Sequence, residues 1–155
     1  MNQLGLPISL NTSMLLESFV ENKELLRLIN QLFLDENSSE VFIYGASGQG
    51  KTHILQGAVL KALELDKNAI YIDCSEPFPE HILDFIDQVH FISFDNVHLI
   101  SSKNQEIFFD LYNQARQSQI SILVSADGLP SDLEVMKDIK TRLSIAAVYK
   151  LEDLN

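Results

Sequence analysis

The chain has 155 residues with a net charge of −11 and an isoelectric point near 4.6. That length supports one domain with a substantial core. The charge excludes broad, sequence-independent DNA binding, which needs many Lys and Arg contacts to phosphate. No apolar run reaches the roughly 18 to 20 residues of a membrane span, and the N-terminus has no basic region leading into an apolar stretch, so a cytoplasmic protein is expected. Cys74 is the single cysteine, which rules out an internal disulfide and reads as a small buried residue at a strand end. Arginine occurs only as Arg27, Arg116 and Arg142, so any role that demands a guanidinium has three candidates.

In chain order, residues 1–12 read as an extended, mostly uncharged leader containing Pro7, and 13–155 as one nucleotide-binding core. Leu25, Leu28, Ile29, Leu32 and Phe33 recur at helical spacing, and the Asn37-Ser38-Ser39 cluster ends that pattern. Val41 to Tyr44 is a short continuous apolar run of the kind buried in a parallel sheet. A helix from about Lys51 to Leu65 follows, then a strand from Ala69 to Ile72 and a short helix around Ile82 to Ile86. Val89 to Phe94 is a third strand. The helix carrying Ile107, Phe108, Leu111, Tyr112 and Ala115 leads to a fourth, Ile120 to Val124. A helix around Leu133 to Leu143 precedes a fifth strand, Ile145 to Tyr149. Strands alternating with helices predict an α/β fold: a five-stranded parallel sheet with helices on both faces and ligands at the carboxyl ends of the strands. The order of the strands does not follow from the pattern.

The most specific motif is Gly45-Ala46-Ser47-Gly48-Gln49-Gly50-Lys51-Thr52, which fits G-x-x-x-x-G-K-[ST] between a strand and a helix. Glycines let successive N–H groups face one concavity, and the helix N-terminus adds partial positive charge. Lys51 is expected to reach the β- and γ-phosphates of ATP or ADP, with His53 in the first helical turn beside it. Thr52 is expected to ligate Mg²⁺, and Asp95, which ends the apolar run His90 to Phe94, to hold that ion through water. Asn96 follows where many such NTPases place a carboxylate to activate water, so intrinsic hydrolysis is expected to be slow. His53, His81, His90 and His98 form no recognisable ligand set, and no zinc is expected.

Gly50-Lys51-Thr52-His53-Ile54-Leu55-Gln56, Phe94-Asp95-Asn96, Phe109-Asp110-Leu111-Tyr112-Asn113 and Tyr149-Lys150-Leu151 resemble the corresponding runs of the DnaA/Hda family of AAA+ proteins. The Asp-Asn pair and Asp-Leu-Tyr-Asn are more similar to the Hda branch than to DnaA itself. Gln3-Leu4-Gly5-Leu6-Pro7-Ile8 resembles the segment by which that branch docks on the DNA-polymerase sliding clamp. Leu4, Leu6 and Ile8 would be its apolar anchors, Gln3 its amide, and Pro7 would lower the entropy lost on ordering. Packing against the core is the alternative for this leader.

The resemblance implies a regulator that, on the clamp, presents an arginine in trans to ATP held by DnaA and so inactivates it. Thr141-Arg142-Leu143 occupies the place of the family's Ser-Arg-Leu, which makes Arg142 the finger; a solvated helix arginine is the other reading. Arg27 and Arg116, on helices without such a motif, read as surface residues. Ser125-Ala126-Asp127 resembles the family's Thr-Ser-Asp, so Asp127 is a candidate for sensing the γ-phosphate, or else a turn residue before Gly128. Phe19-Val20-Glu21-Asn22 resembles the adenine-side loop but is shorter and lacks its glycine. The sequence ends at Asn155, where the family's small helical lid begins, so that lid is expected to be absent. The implied partners are the clamp, DnaA and, indirectly or weakly, nucleic acid, with a homodimer allowed and no membrane. The competing functions are an initiator or helicase loader that hydrolyses its own ATP, and an adaptor whose arginine is idle.

Overall fold

The computed structural model describes residues 23–34, 39–45 and 50–151. Its elements are α1 (Lys23–Leu34), β1 (Glu40–Tyr44), α2 (Lys51–Glu64), β2 (Ala69–Asp73), α3 (Ile82–Phe85), β3 (Phe91–Asp95), α4 (Ser102–Gln117), β4 (Ser121–Ala126), α5 (Lys137–Leu143) and β5 (Ala147–Lys150). The five strands are all parallel, in the order β2-β3-β4-β1-β5.

Period-two alternation within the apolar strands divides the core into two layers. Phe42, Ile92, Phe94, Ile122 and Val124 face α4 and α5 through Phe108, Leu111, Tyr112, Ile139 and Leu143. Val41, Ile43, Tyr71, Phe91 and Leu123 face α1 and α2 through Leu25, Ile29, Phe33, Ile54, Leu55 and Ala58. Aromatic pairs lock both layers: Phe94 meets Phe108 edge-on at 4.8 Å between ring centres, and Phe33 meets Phe91 at 5.2 Å. Small residues let α2 lie close to the sheet. Gly57, Ala58 and Ala62 are buried there, and the Ser93 hydroxyl donates to the Leu55 carbonyl at 3.0 Å.

The predicted fold class is the one observed, and the differences lie at element ends. Val89 belongs to a 3₁₀ turn, its N–H on the Ile86 carbonyl, so β3 starts at Phe91. Ile120 closes α4 by donating to the Ala115 carbonyl, and β4 runs on to Ala126, whose carbonyl accepts from Gly45 N–H. Leu133 ends a 3₁₀ turn at Pro130–Asp132, and the helix starts only at Lys137. Ile145 and Ala146 bond back to Arg142 and Leu143, which delays β5 to Ala147. Among the described residues no helix is long and apolar enough to cross a membrane.

Candidate functional site

Two polar constellations lie at opposite edges of the sheet, and β1 connects them. The first is at the carboxyl ends of β1, β3 and β4. Gly50 precedes α2 with φ 87° and ψ 16°, a left-handed conformation that favours glycine. Gly45 fits its place for want of space, because a Cβ there would lie 2.9 Å from the Leu151 carbonyl oxygen. Lys51 is buried and its Nζ donates to the Gly45 carbonyl at 2.5 Å. Burial lowers its pKa, and Asp127 and Asp95 nearby pull the other way. Of the motif, Gly45, Gly50, Lys51, Thr52 and His53 are described; Ala46, Ser47, Gly48 and Gln49 lie outside the described residues.

Asp95 is fully buried at the end of β3 and its carboxylate is saturated by hydroxyls. Thr52 Oγ1 donates to Oδ2 at 2.8 Å, Tyr71 O–H to the same oxygen at 2.6 Å, and Ser125 Oγ to Oδ1 at 2.5 Å. The structure thus brings together Thr52 and Asp95, the two residues expected to share Mg²⁺, by a direct hydrogen bond. Burial, and then the adjacent Asp95 charge, push the Tyr71 hydroxyl well above its ordinary range, so it stays a donor. Asn96, left-handed at φ 58°, donates its backbone N–H to Ser125 Oγ at 3.0 Å and its amide to Asp73 Oδ1 at 3.1 Å. Asp127, half-exposed beyond β4, lies 3.9 Å from His98 Nε2.

Tyr71 and His98 were not singled out as site residues by sequence. Tyr71 reaches Asp95 only because β2 lies beside β3 in register, with Asp73 opposite Asp95. No motif encodes that neighbour. Ser125 belongs to the Ser-Ala-Asp run, but its hydroxyl reaches the β3 acid only because β4 lies on the other side of β3.

The second constellation lies at the amino ends of the strands. Glu40 opens β1 and accepts from Tyr112 O–H at 2.7 Å and from Arg116 Nε at 2.8 Å. Arg116 is therefore a half-buried strut between α4 and the sheet, which corrects its reading as a surface residue. Arg27 is exposed on α1. Arg142 is half-buried; its Nε donates to Asn113 Oδ1 at 2.6 Å and its guanidinium carbon sits 5.8 Å from the centre of the Phe109 ring. It is thus anchored rather than freely solvated. Arg142, Asn113, Arg116, Gln117, Glu40 and Ile145 line an open depression of about 650 Å³. Glu40 opens β1 and Gly45 directly follows its last residue, five positions on, so about 16 Å of chain separates this depression from Gly45.

Among the described residues no group of three or more His, Cys, Asp or Glu side chains could hold a metal ion. Cys74 is fully buried, and burial raises its thiol well above the ordinary value, which keeps it protonated. The leader residues Gln3, Leu4, Leu6, Pro7 and Ile8, and the stretch Phe19 to Asn22, lie outside the described residues.

The chain is 32% identical over 163 positions to an uncharacterized protein of Haemophilus influenzae, covering 98% of this chain and 69% of that protein. Its fold superposes on the AMPPCP-bound DnaA from Aquifex aeolicus with a TM-score of 0.83 at 22% identity, over 94% of this chain and 52% of that one. Domain III of the Thermotoga maritima replication initiation protein DnaA superposes with a TM-score of 0.75 at 26% identity, over 94% of this chain and 69% of that one. The chain spans about half the length of the longer DnaA structures it matches. The model of the bacterial DnaA ATPase domain matches residues 10–150, and the chain belongs to that family.

Proposed function

We propose that this chain is an Hda-type regulator of replication initiation: it holds ADP or ATP and, on the sliding clamp, stimulates ATP hydrolysis by DnaA through Arg142. The observation that carries the reading is the separation along β1. Arg142 lies at the amino edge of the sheet, about 16 Å of strand from Gly45, too far to serve the nucleotide of its own chain. Asn113 accepts from Nε, and Arg142 lines the open depression. An arginine so presented stabilises charge that develops on a transferring phosphoryl group, and comparable fingers are worth about 10³- to 10⁵-fold in rate.

The carboxyl-edge residues then serve the chain's own nucleotide. Gly45 through Thr52, with His53, would cradle its phosphates, with Lys51 exchanging the Gly45 carbonyl for phosphate oxygen. The oxygens of Thr52 and Asp95, 2.8 Å apart, are hard donors of the type Mg²⁺ takes, so the residues fit that ion. Bound there, Mg²⁺ would neutralise phosphate charge. Asn96 cannot accept a proton as a carboxylate does, and its amide is engaged by Asp73, so turnover by the isolated chain is slow.

The test is DnaA-dependent ATP hydrolysis with and without clamp-loaded DNA. Stimulation only with clamp is expected, lost in Arg142→Ala and poorly restored in Arg142→Lys, which lacks the planar fork. Leu6→Ala with Pro7→Ala should abolish clamp capture alone. Full stimulation by Arg142→Ala would sink the finger assignment. Rapid ATPase of the isolated chain, abolished by Asp95→Ala, would favour an initiator or loader that hydrolyses its own ATP.

A further inference from the structure

His98 follows the left-handed Asn96 in a 3₁₀ turn, Val97–Leu99, directly beyond β3. That turn draws its side chain in, to 14% exposed, although the residue lies in a surface loop. Its Nδ1 is buried and has no hydrogen-bond partner among the described residues, while Nε2 lies 3.9 Å from Asp127 Oδ2. A polar atom buried unpaired costs about 1 to 3 kcal/mol and calls for an explanation. Among the described residues the charges that act on the ring come from three elements: Lys51 on α2, Asp95 on β3 and Asp127 beyond β4.

Those neighbours locate the ring. The lysine of a G-x-x-x-x-G-K-[ST] run reaches the β- and γ-phosphates. Asp127 follows Ala126, whose carbonyl accepts from Gly45 N–H, so the ring sits where the glycine-rich run meets β4. A carboxylate at that point repels a terminal phosphate and has no proton to donate. An imidazole beside it has one. Burial lowers the His98 pKa more than Asp127 raises it, so near neutral pH the ring is uncharged with a single N–H. Nε2 is the nitrogen turned toward Asp127, and at 3.9 Å it makes no hydrogen bond there, which leaves an Nε2–H available to a ligand.

We propose that His98 binds the terminal phosphate of the chain's own ATP through Nε2, so that His98 rather than Asp127 distinguishes ATP from ADP. This rests on the cradle reading above. ADP ends one phosphate short of the ring and does not engage it. In the ATP state the Nε2–H donates to a phosphate oxygen, and Asp127 turns out to solvent, where it is already half-exposed.

The experiment is calorimetric binding of ADP and of a non-hydrolysable ATP analogue to the parent chain, His98→Leu, His98→Gln and Lys51→Ala. His98→Leu should weaken the ATP analogue about tenfold, the loss of one hydrogen bond to a charged group, and leave ADP within twofold. His98→Gln keeps an N–H donor and should lose less. The parent provides an arm that needs no variant: its His98 imidazole nitrogen resonances should shift with the ATP analogue and not with ADP. Equal losses for both nucleotides, or resonances that respond alike to both, overturn the proposal. Failure of the cradle reading is separate, and would show as a parent that binds neither nucleotide or as Lys51→Ala binding both normally.

Discussion

Replacing Gly45 by alanine probes the junction on which the carboxyl-edge site is built. The added Cβ would lie 2.9 Å from the Leu151 carbonyl oxygen and 3.3 Å from the Leu151 Cβ. The first contact is with backbone and cannot be relieved by a rotamer change. Leu151 cannot retreat either, since its N–H donates to the Tyr44 carbonyl at 2.7 Å and its side chain is buried. Overpacking of this kind costs about 1 to 3 kcal/mol. The lower entropy of an unfolded alanine returns about 0.4 to 1 kcal/mol. A net loss of about 1 to 2 kcal/mol is expected, which in a domain of this size lowers Tm by roughly 2 to 8 °C. Urea unfolding should show a lower midpoint at unchanged slope. Gly128→Ala is the control, because its Cβ would meet nothing nearer than Asp132 Cβ at 3.7 Å, and it should leave the midpoint almost unmoved. A Gly45→Ala midpoint at or above that of the parent would refute the reasoning.

Lys51→Ala should abolish calorimetric ADP binding; the Gly45 carbonyl loses its amine donor, so a stability loss of about 1 kcal/mol accompanies it in a chain that still folds. Arg116→Met leaves the largely buried Glu40 carboxylate with Tyr112 as its remaining donor in this strut; a loss of about 1 kcal/mol is expected by denaturant titration, smaller at high salt. In the nucleotide-free chain His98 is held neutral, so the unfolded chain takes up the proton first as pH falls through about 6.5, the ordinary histidine value. The stability that depends on neutral His98 is present above that pH and lost below it. His98→Gln should therefore lose less stability than the parent between pH 8 and 5, and parallel pH profiles would contradict the shift.

The α/β architecture was legible because both of its periods are written plainly. Leu25, Ile29 and Phe33 recur at helical spacing, and Val41 to Tyr44 is apolar on both faces, as a strand covered on both sides must be. The glycine-rich run was legible because its residues are consecutive. Strand ends were less so: Val89 and Ile145 are apolar, yet turn hydrogen bonds claim them. What sequence could not give was any contact that depends on strand order. Tyr71 and Ser125 meet on Asp95 because β2 and β4 flank β3, and Arg116 finds Glu40 some 76 residues away because α4 packs at the mouth of β1. Local pattern carries no information about such pairings.

The two ends of β1 give the molecule a polarity. Gly45 closes one pole and Glu40, under the arginine depression, opens the other. A contact that joins the arginine pole of one chain to the glycine-rich pole of another is heterologous: the two surfaces differ, and no twofold axis can satisfy both at once. Such a contact stops at two unlike partners, closes into a ring or propagates as a directional stack. If Arg142 acts on a neighbour as proposed, the two chains meet in one orientation only, fixed by which end of a single strand carries the arginine.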